Sequence, residues 1–305
     1  MARHNLSFQM NTAINHAFCP GYDKHAGKHN GESMSKVCSF NEKRSLQQVV
    51  YQFKDFAKQH YPQLRLVKNI KSEHWQSLLN EKAKTCSYAT LKNYISRISK
   101  LGVLCGNRFR FKANWSGNLL APASMKTPRN EKLRIQMMDK ADLEKVMEYG
   151  YRNCTSKAIA AIDLAYRFGL RAYEASHLRV KDVDLNKMRL CVTGKGGRIR
   201  YLQICPKDID LLKSLCTKTQ NEKLIGIKAN SINQQLNRIL KKLGLKKKYP
   251  VSSIHAIRKL KAQEIWDEKR NQGWNKKETM NYVASYLGHG KGRYDIINIY
   301  VHNQS

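Results

Sequence analysis

The chain lacks long apolar segments. None of its apolar runs is long enough to span a bilayer, and residues 1–30 are polar and rich in histidine, unlike a signal peptide. These absences argue against an integral membrane protein and against secretion, so we expect a reducing, cytoplasmic location and no membrane partner. None of the eight cysteines forms a C-x-x-C pair, and in such a compartment they are expected to be free thiols.

Acidic residues are also scarce. The chain has 23 Asp and Glu against 56 Lys and Arg, and the resulting formal net charge of +33 is spread along all 305 residues. A soluble domain does not need so large a charge to stay in solution. We therefore expect a polyanionic partner, nucleic acid first of all, and the length allows two domains.

Residues 1–42 show no sustained periodicity and contain several glycines, which predicts an N-terminal arm that is only partly helical and touches DNA. The arm also holds four residues of metal-ligand type, Cys19, His25, His29 and Cys38. Their spacing fits no common zinc finger, so an ordinary polar loop is the favoured alternative and no metal site is expected.

Residues 43–115 are predicted to form a helical domain that binds DNA. Ser45 is followed three residues later by a glutamine, which is a capping-box signal for the first helix. A later helix has one apolar face, and its other face carries Lys92, Arg97 and Lys100. Such a basic face can simply be solvated, but the charge of the whole chain favours phosphate contact.

Residues 116–132 have little periodicity and contain one glycine and two prolines, which predicts a linker to a second domain, residues 133–305. Within that domain, Asp163 to Ile204 predicts a helix, a short helix and a β-hairpin. Arg171 begins the short helix three residues before Glu174, and Lys195 lies at the hairpin tip. Taken alone, Arg171 is better explained by an ion pair with Glu174, and Lys195 by simple solvation, than by catalysis.

The C-terminal third adds histidines, an arginine and a tyrosine. His255 and Arg258 share one face at the start of a predicted helix, His289 follows Leu-Gly, and Tyr300 lies in the last predicted helix. Alternatively, His289 caps a turn and Tyr300 is a core aromatic. A basic cluster precedes them, and its expected DNA contacts are Lys246 and Lys247.

Taken in order, these residues resemble the tyrosine recombinases, the integrase family of phages and mobile elements. The phrases FGLRAYEASHLRVKDVDL, TGKGGRIRYLQI, IHAIRKL and YLGHG carry the resemblance, which covers roughly Leu133–His302. It implies a mainly α fold with a small β-sheet in an α+β catalytic domain, preceded by a helical core-binding domain. It also implies double-stranded DNA as partner and a homotetramer on paired DNA sites, and it allows an accessory DNA-bending protein as a further partner.

The resemblance further implies that a tyrosine cuts DNA through a covalent 3′-phosphotyrosyl link, with no cofactor. Tyr300 would be the nucleophile. Arg171 and Arg258 would neutralise charge on the non-bridging oxygens, because planar guanidinium groups match those oxygens and take the place of a metal. Lys195 would protonate the 5′-oxygen that leaves.

Three other matched residues would assist the reaction. His255 would donate to the phosphate or shuttle a proton, His289 would hydrogen-bond the phosphate, and Glu174 would support the site. Two features depart from the family pattern: Tyr294 is a rival nucleophile, because the interval from His289 to Tyr300 is slightly long, and Lys259 stands where relatives often have histidine. A type IB topoisomerase and a catalytically inactive basic DNA-binding protein remain alternatives.

Overall fold

The computed structural model describes residues 5–126, 136–154, 157–194, 197–217, 219–290, 292 and 294–301. The chain divides into two compact units, Met1–Leu133 and Arg134–Ser305. Within the described residues, every helix is too short or too polar to cross a membrane.

The first unit is helical. Its helices are α1 (Leu6–His16), α2 (Lys24–His29), α3 (Phe40–His60), α4 (Ser72–Ala83) and α5 (Tyr88–Phe109). Helix α1 packs on α3 and α5, because Leu6, Met10 and Ile14 recur at helical spacing and are buried in the core of the unit. Residues 6–16 are thus a helix in the core of the unit, within the segment that we had expected to be only partly helical.

Helix α3 starts earlier than its Ser45 signal predicts. Ser39 is the N-cap: its hydroxyl accepts from the backbone N–H of Glu42 at 3.2 Å, and the Glu42 carboxylate accepts from the N–H of Cys38 at 3.0 Å. Ser39-x-x-Glu42 is therefore the true cap signal, and Ser45 lies inside the helix. The apolar stripe was assigned correctly, since Val49 and Phe53 are fully buried.

The first part of the predicted linker is packed against the helical unit. The backbone N–H of Leu120 donates to Gln76 at 3.0 Å, and that of Met125 donates to the carbonyl of Ala83 at 2.9 Å. Leu119 is buried in the same core. Residues 127–132 of the predicted linker lie outside the described residues.

The second unit is mainly helical with a small antiparallel sheet, as predicted. Its elements are α6 (Lys140–Asn153), α7 (Ala158–Arg167), α8 (Ala172–His177), β1 (Val183–Asp184), β2 (Arg189–Thr193), β3 (Ile199–Gln203), α9 (Ile209–Leu215), α10 (Ala229–Lys242), α11 (Ile254–Asn271), α12 (Lys276–Tyr286) and α13 (Tyr294–Tyr300). The strands follow the order β1-β2-β3. Leu190 of β2 pairs with Leu202 of β3, and both face the main core of the unit.

A second cluster in this unit positions the last helix. Ile297 of α13 and Val301, the residue after this helix, are buried in one cluster with Trp266 of α11 and Val283 of α12. Because α13 is held by this apolar contact, Tyr300 at its end is fixed relative to α11, which carries His255 and Arg258.

Candidate active site

A tight turn sets the position of Arg171. Gly169, between α7 and α8, has φ +58°, a left-handed conformation that favours glycine. A Cβ there would lie 3.1 Å from a ring carbon of Tyr286, which is a tight contact. Arg171 is the N-cap of α8, and its backbone N–H donates to Glu174 Oε2 at 2.9 Å. Its guanidinium donates to Glu174 Oε1 at 2.8 Å, so the ion pair expected from the sequence is present.

Arg258 lies beneath this turn and has no exposed surface. It donates to the main-chain carbonyls of Gly169 and Leu287, and its Nη1 is 3.7 Å from Glu174 Oε2. Burial lowers the pKa of Arg258 to about 10, so it stays charged at neutral pH. Arg258 thus joins the segment before Arg171 to the end of α12.

A second glycine turn places His289. Gly288 has φ +70° and ends α12, and the N–H of His289 donates to the carbonyl of Ala284 at 2.8 Å. The ring of His289 turns toward the arginines: its Nε2 lies 3.1 Å from Arg171 Nη2 and 3.5 Å from Arg258 Nη2. His289 therefore does more than cap a turn, since it contacts both arginines.

Tyr300 completes the cluster. Its hydroxyl lies 3.4 Å from His255 Nδ1, its ring centroid is 4.9 Å from that of His255 and 5.4 Å from that of His289, and Arg258 Cζ is 5.7 Å from the ring. Tyr300 is only 5% exposed. It is therefore a core aromatic and also a member of the polar cluster.

The environment of His255 sets its charge. Burial and then the nearby positive charges of Arg258, Lys259 and Arg171 lower the pKa of His255 to about 4. The imidazole is thus neutral at pH 7, and one ring nitrogen can accept a proton. The neutral ring also suits a site that already holds two arginines.

Sequence reasoning missed Arg200 of β3. Its Nη1 donates to Glu174 Oε1 at 3.0 Å and its Nη2 to Glu174 Oε2 at 2.8 Å. Burial favours the neutral form of Glu174, but the hydrogen bonds and charge of Arg200, with smaller effects of Arg171 and Arg258, lower its pKa to about 2. The alternation of side chains along β3 could have revealed Arg200. It is two residues before the buried Leu202, so both side chains lie on the inward face of the strand.

Two predicted residues are not part of this cluster as described. Lys195 lies outside the described residues. The glycine-rich, basic run before Tyr294 predicts a loop at this position. Tyr294 is instead the first residue of α13, and it packs against the apolar cluster around Ile297. Among the described residues, the tyrosine in contact with His255 and His289 is Tyr300.

The residues predicted to contact DNA differ in exposure. Lys92 and Lys247 are exposed, and Arg97 and Lys246 are partly buried. Lys100 is 6% exposed, and its ammonium donates to the carbonyl of Ser33 and to Glu42, both at 2.8 Å. We therefore withdraw Lys100 as a DNA contact, because its charge stabilises the interior of the helical unit.

The described residues contain no group of three or more His, Cys, Asp or Glu that would hold a metal ion. The positive charge of the cluster comes instead from Arg171, Arg200 and Arg258. Since Glu174 offsets only one of these charges, the cluster keeps an excess of positive charge that suits a phosphate group.

The model of the phage integrase family matches residues 136–305. The chain belongs to this family. The match spans the second unit, so the predicted tyrosine recombinase family and its α+β fold are confirmed, and with them the predicted enzyme class of tyrosine-type site-specific recombinase.

Solved structures of tyrosine recombinases share this integrase fold. The XerH site-specific recombinase, in a post-cleavage complex with a palindromic difH substrate, has a TM-score of 0.65 and 17% identity over 98% of this chain and 91% of that chain. A lambda integrase dimer bound to a COC′ core site has a TM-score of 0.62 and 14% identity, over 95% and 76%. A lambda integrase tetramer bound to a Holliday junction has a TM-score of 0.61 and 14% identity, over 93% and 78%.

Proposed function

We propose that this integrase-family protein cuts and rejoins double-stranded DNA at specific sites through a covalent 3′-phosphotyrosyl intermediate, and that it integrates or excises a mobile element. The observation that carries the proposal is the contact between the Tyr300 hydroxyl and the neutral His255 ring, in a cluster with Arg171 and Arg258. A tyrosine, a proton acceptor and two arginines are what attack on a phosphodiester requires.

In the proposed first step, His255 Nδ1 accepts the phenolic proton and Tyr300 Oη attacks the scissile phosphorus. The bond from phosphorus to the 5′-oxygen breaks, and Lys195 supplies the proton that this oxygen needs. Arg171 and His289 face the added charge on the non-bridging oxygens. Arg258 supports that charge from the protein interior, because it is fully buried and its Nη1 and Nη2 each donate to a main-chain carbonyl.

In the second step, the 5′-hydroxyl of a partner strand attacks the phosphotyrosyl bond. A new phosphodiester forms as the bond from phosphorus to Tyr300 Oη breaks, the 5′-hydroxyl proton passes to Lys195, and His255 returns a proton to Tyr300. No bond energy is lost to water, so neither a nucleotide cofactor nor a metal is needed for rejoining. Exchange of strands between two sites calls for four subunits, and a tetramer on a Holliday junction is described for lambda integrase.

DNA binding is proposed for both units. Residues 43–115 would form the core-binding domain, with residues 1–42 before it and 116–132 as the linker to the catalytic domain, 133–305. Exposed Lys92 of α5 and Lys247 after α10, with the partly buried Arg97 and Lys246, remain the proposed phosphate contacts. Cytoplasmic localisation also stays a prediction.

The test is a covalent capture from random DNA. Purified protein is mixed, in EDTA, with duplexes of random sequence that carry a nick at a fixed position, and DNA that stays attached to protein after SDS denaturation is sequenced. We expect enrichment of one site with inverted half-sites. Absence of any covalent complex would overturn the proposal, and covalent complexes without sequence enrichment, together with relaxation of supercoiled plasmid, would indicate a type IB topoisomerase.

A further inference from the structure

Arg200 occupies a position where a strand normally carries an apolar residue. It pairs with Val192 across the β2–β3 ladder, its side chain is 9% exposed, and its neighbours Ile199 and Tyr201 are exposed instead. Its Nε is buried without a hydrogen-bond partner. Burying a charged side chain costs free energy unless the charge is paired and hydrogen-bonded, so Arg200 calls for a specific partner.

That partner is the carboxylate of Glu174, which is 2% exposed. Arg200 binds both oxygens in a fork, Nη1 to Oε1 and Nη2 to Oε2, and this two-bond geometry fixes the plane of the carboxylate. The same two oxygens accept from the Arg171 guanidinium and from the Arg171 backbone N–H. The orientation of Arg171 therefore depends on Glu174, and the orientation of Glu174 depends on Arg200.

The surroundings of Arg200 also belong to the site. Gly288, the residue before His289, lies so close that a Cβ there would be 2.9 Å from Arg200 Nη1. Gly194, at the end of β2, faces Glu174, since a Cβ there would be 3.4 Å from Oε1. The Arg200 side chain thus packs against Gly194, against Glu174 of α8 and against the turn that carries His289.

We infer that Arg200 is a positioning residue for the cleavage reaction: through Glu174 it holds Arg171 in the orientation that receives the scissile phosphate. The inference rests on the proposed function, because it assigns Arg200 a part in that reaction. The role inferred for Arg200 differs from that of Arg171. Arg200 binds the Glu174 carboxylate, whereas Arg171 faces the phosphate.

The experiment compares Arg200→Ala and Arg200→Lys with Arg189→Ala. Arg189 is the matched control, because it is an exposed arginine of the same sheet that stacks on Tyr201. Binding of the captured site, the melting temperature and the rate of covalent complex formation are measured for each protein. We expect Arg200→Ala to cut about 100-fold more slowly, as misplacement of a reacting group by about 1 Å does, with binding nearly unchanged and partial recovery in Arg200→Lys.

The pH dependence separates positioning from loss of structure. Among the described residues, the charged groups that face Glu174 are Arg171 at the N-cap of α8, Arg200 on β3 and Arg258 on α11, with His289 beside Arg171. Without Arg200, burial raises the pKa of Glu174 with less opposition. The rate defect of Arg200→Ala should therefore be larger at pH 5.5 than at pH 8, and a defect of equal size at both would overturn the inference.

Other outcomes are equally decisive. If wild-type protein forms no covalent complex, the proposed function fails and the inference with it. If wild type cuts and Arg200→Ala cuts within about twofold of Arg189→Ala, the inference alone fails. If Arg200→Ala does not fold, Arg200→Lys decides: a folded lysine variant with the wild-type rate and pH profile would show that a point charge suffices, against the fork geometry claimed for Arg200.

Discussion

The hydroxyl of Tyr300 lies 3.4 Å from Nδ1 of His255, although 45 residues separate them in the chain. The pKa of His255, lowered to about 4, makes its ring a proton acceptor at neutral pH rather than a donor of both N–H groups. The pair therefore matches a nucleophile with a base beside it, and α13, which carries Tyr300, is anchored by apolar contacts.

Tyr300→Phe should abolish covalent attachment to DNA, because the phenyl ring has no nucleophilic oxygen. Tyr294→Phe is the matched control on the same helix and should keep most of the activity, since Tyr294 packs in the apolar cluster. The measurement is trapping on a nicked site, followed by mapping of the phosphopeptide. A phosphopeptide that carries Tyr294 would contradict the assignment.

Arg171→Ala should slow cleavage by about 10²- to 10³-fold, the usual effect of removing one donor to a developing oxyanion. Binding to the site should change little, because many other cations hold the DNA backbone. Cleavage rate and binding affinity are measured on the same duplex. Equal losses in both, with the fold intact, would make Arg171 a docking residue.

Arg258→Ala should behave differently from Arg171→Ala, because Arg258 is fully buried between two carbonyls and Glu174. Removing it takes a hydrogen bond from the carbonyls of Gly169 and Leu287 and a positive charge from beside the buried Glu174. We therefore expect the free energy of unfolding to fall by about 3–5 kcal/mol as well as loss of cleavage. Denaturant titration of both variants measures the contrast. Unfolding free energies of Arg258→Ala and Arg171→Ala that agree within about 1 kcal/mol would refute this.

Lys195→Ala should slow cleavage, and a substrate with sulfur in place of the 5′-bridging oxygen should restore it. A thiolate leaves without a proton, so the general acid becomes dispensable. The ratio of rates on the sulfur and oxygen substrates is measured for wild type and variant, with Arg171→Ala as a control that sulfur should not rescue. If the ratio of sulfur to oxygen rates is the same in Lys195→Ala as in wild type, Lys195 is a DNA contact and not the general acid.

Stability should depend on pH through His255. Its pKa is about 4 in the folded protein against 6.5 as the ordinary value, so between these values the unfolded state binds more protons. The contribution of neutral His255 to the free energy of unfolding is therefore complete above about pH 6.5, and it is lost as the pH falls toward 4. His255→Gln should flatten the melting temperature between pH 7 and 5, and a slope equal to that of wild type would contradict this prediction.

Local patterns in the sequence predicted a large part of this protein. The apolar period of α3 and the hairpin of β2 and β3 follow from spacings of a few residues, as do the glycine turns before Arg171 and His289. The order of the site residues was likewise visible, and the family match over residues 136–305 confirms the resemblance drawn from them.

Only the tertiary structure decided which partner each charge has. Lys100 belonged by its spacing to an exposed basic face, yet Glu42 and Ser33, 58 and 67 residues away, hold it inside the helical unit. In the sequence, Arg200 is one of several cations in a basic hairpin. In the structure, β3 brings it to Glu174, 26 residues away. The apolar periods of helices and strands depend on neighbouring residues and can be read from the sequence. The partner of a buried charge depends on which distant segments the core brings together.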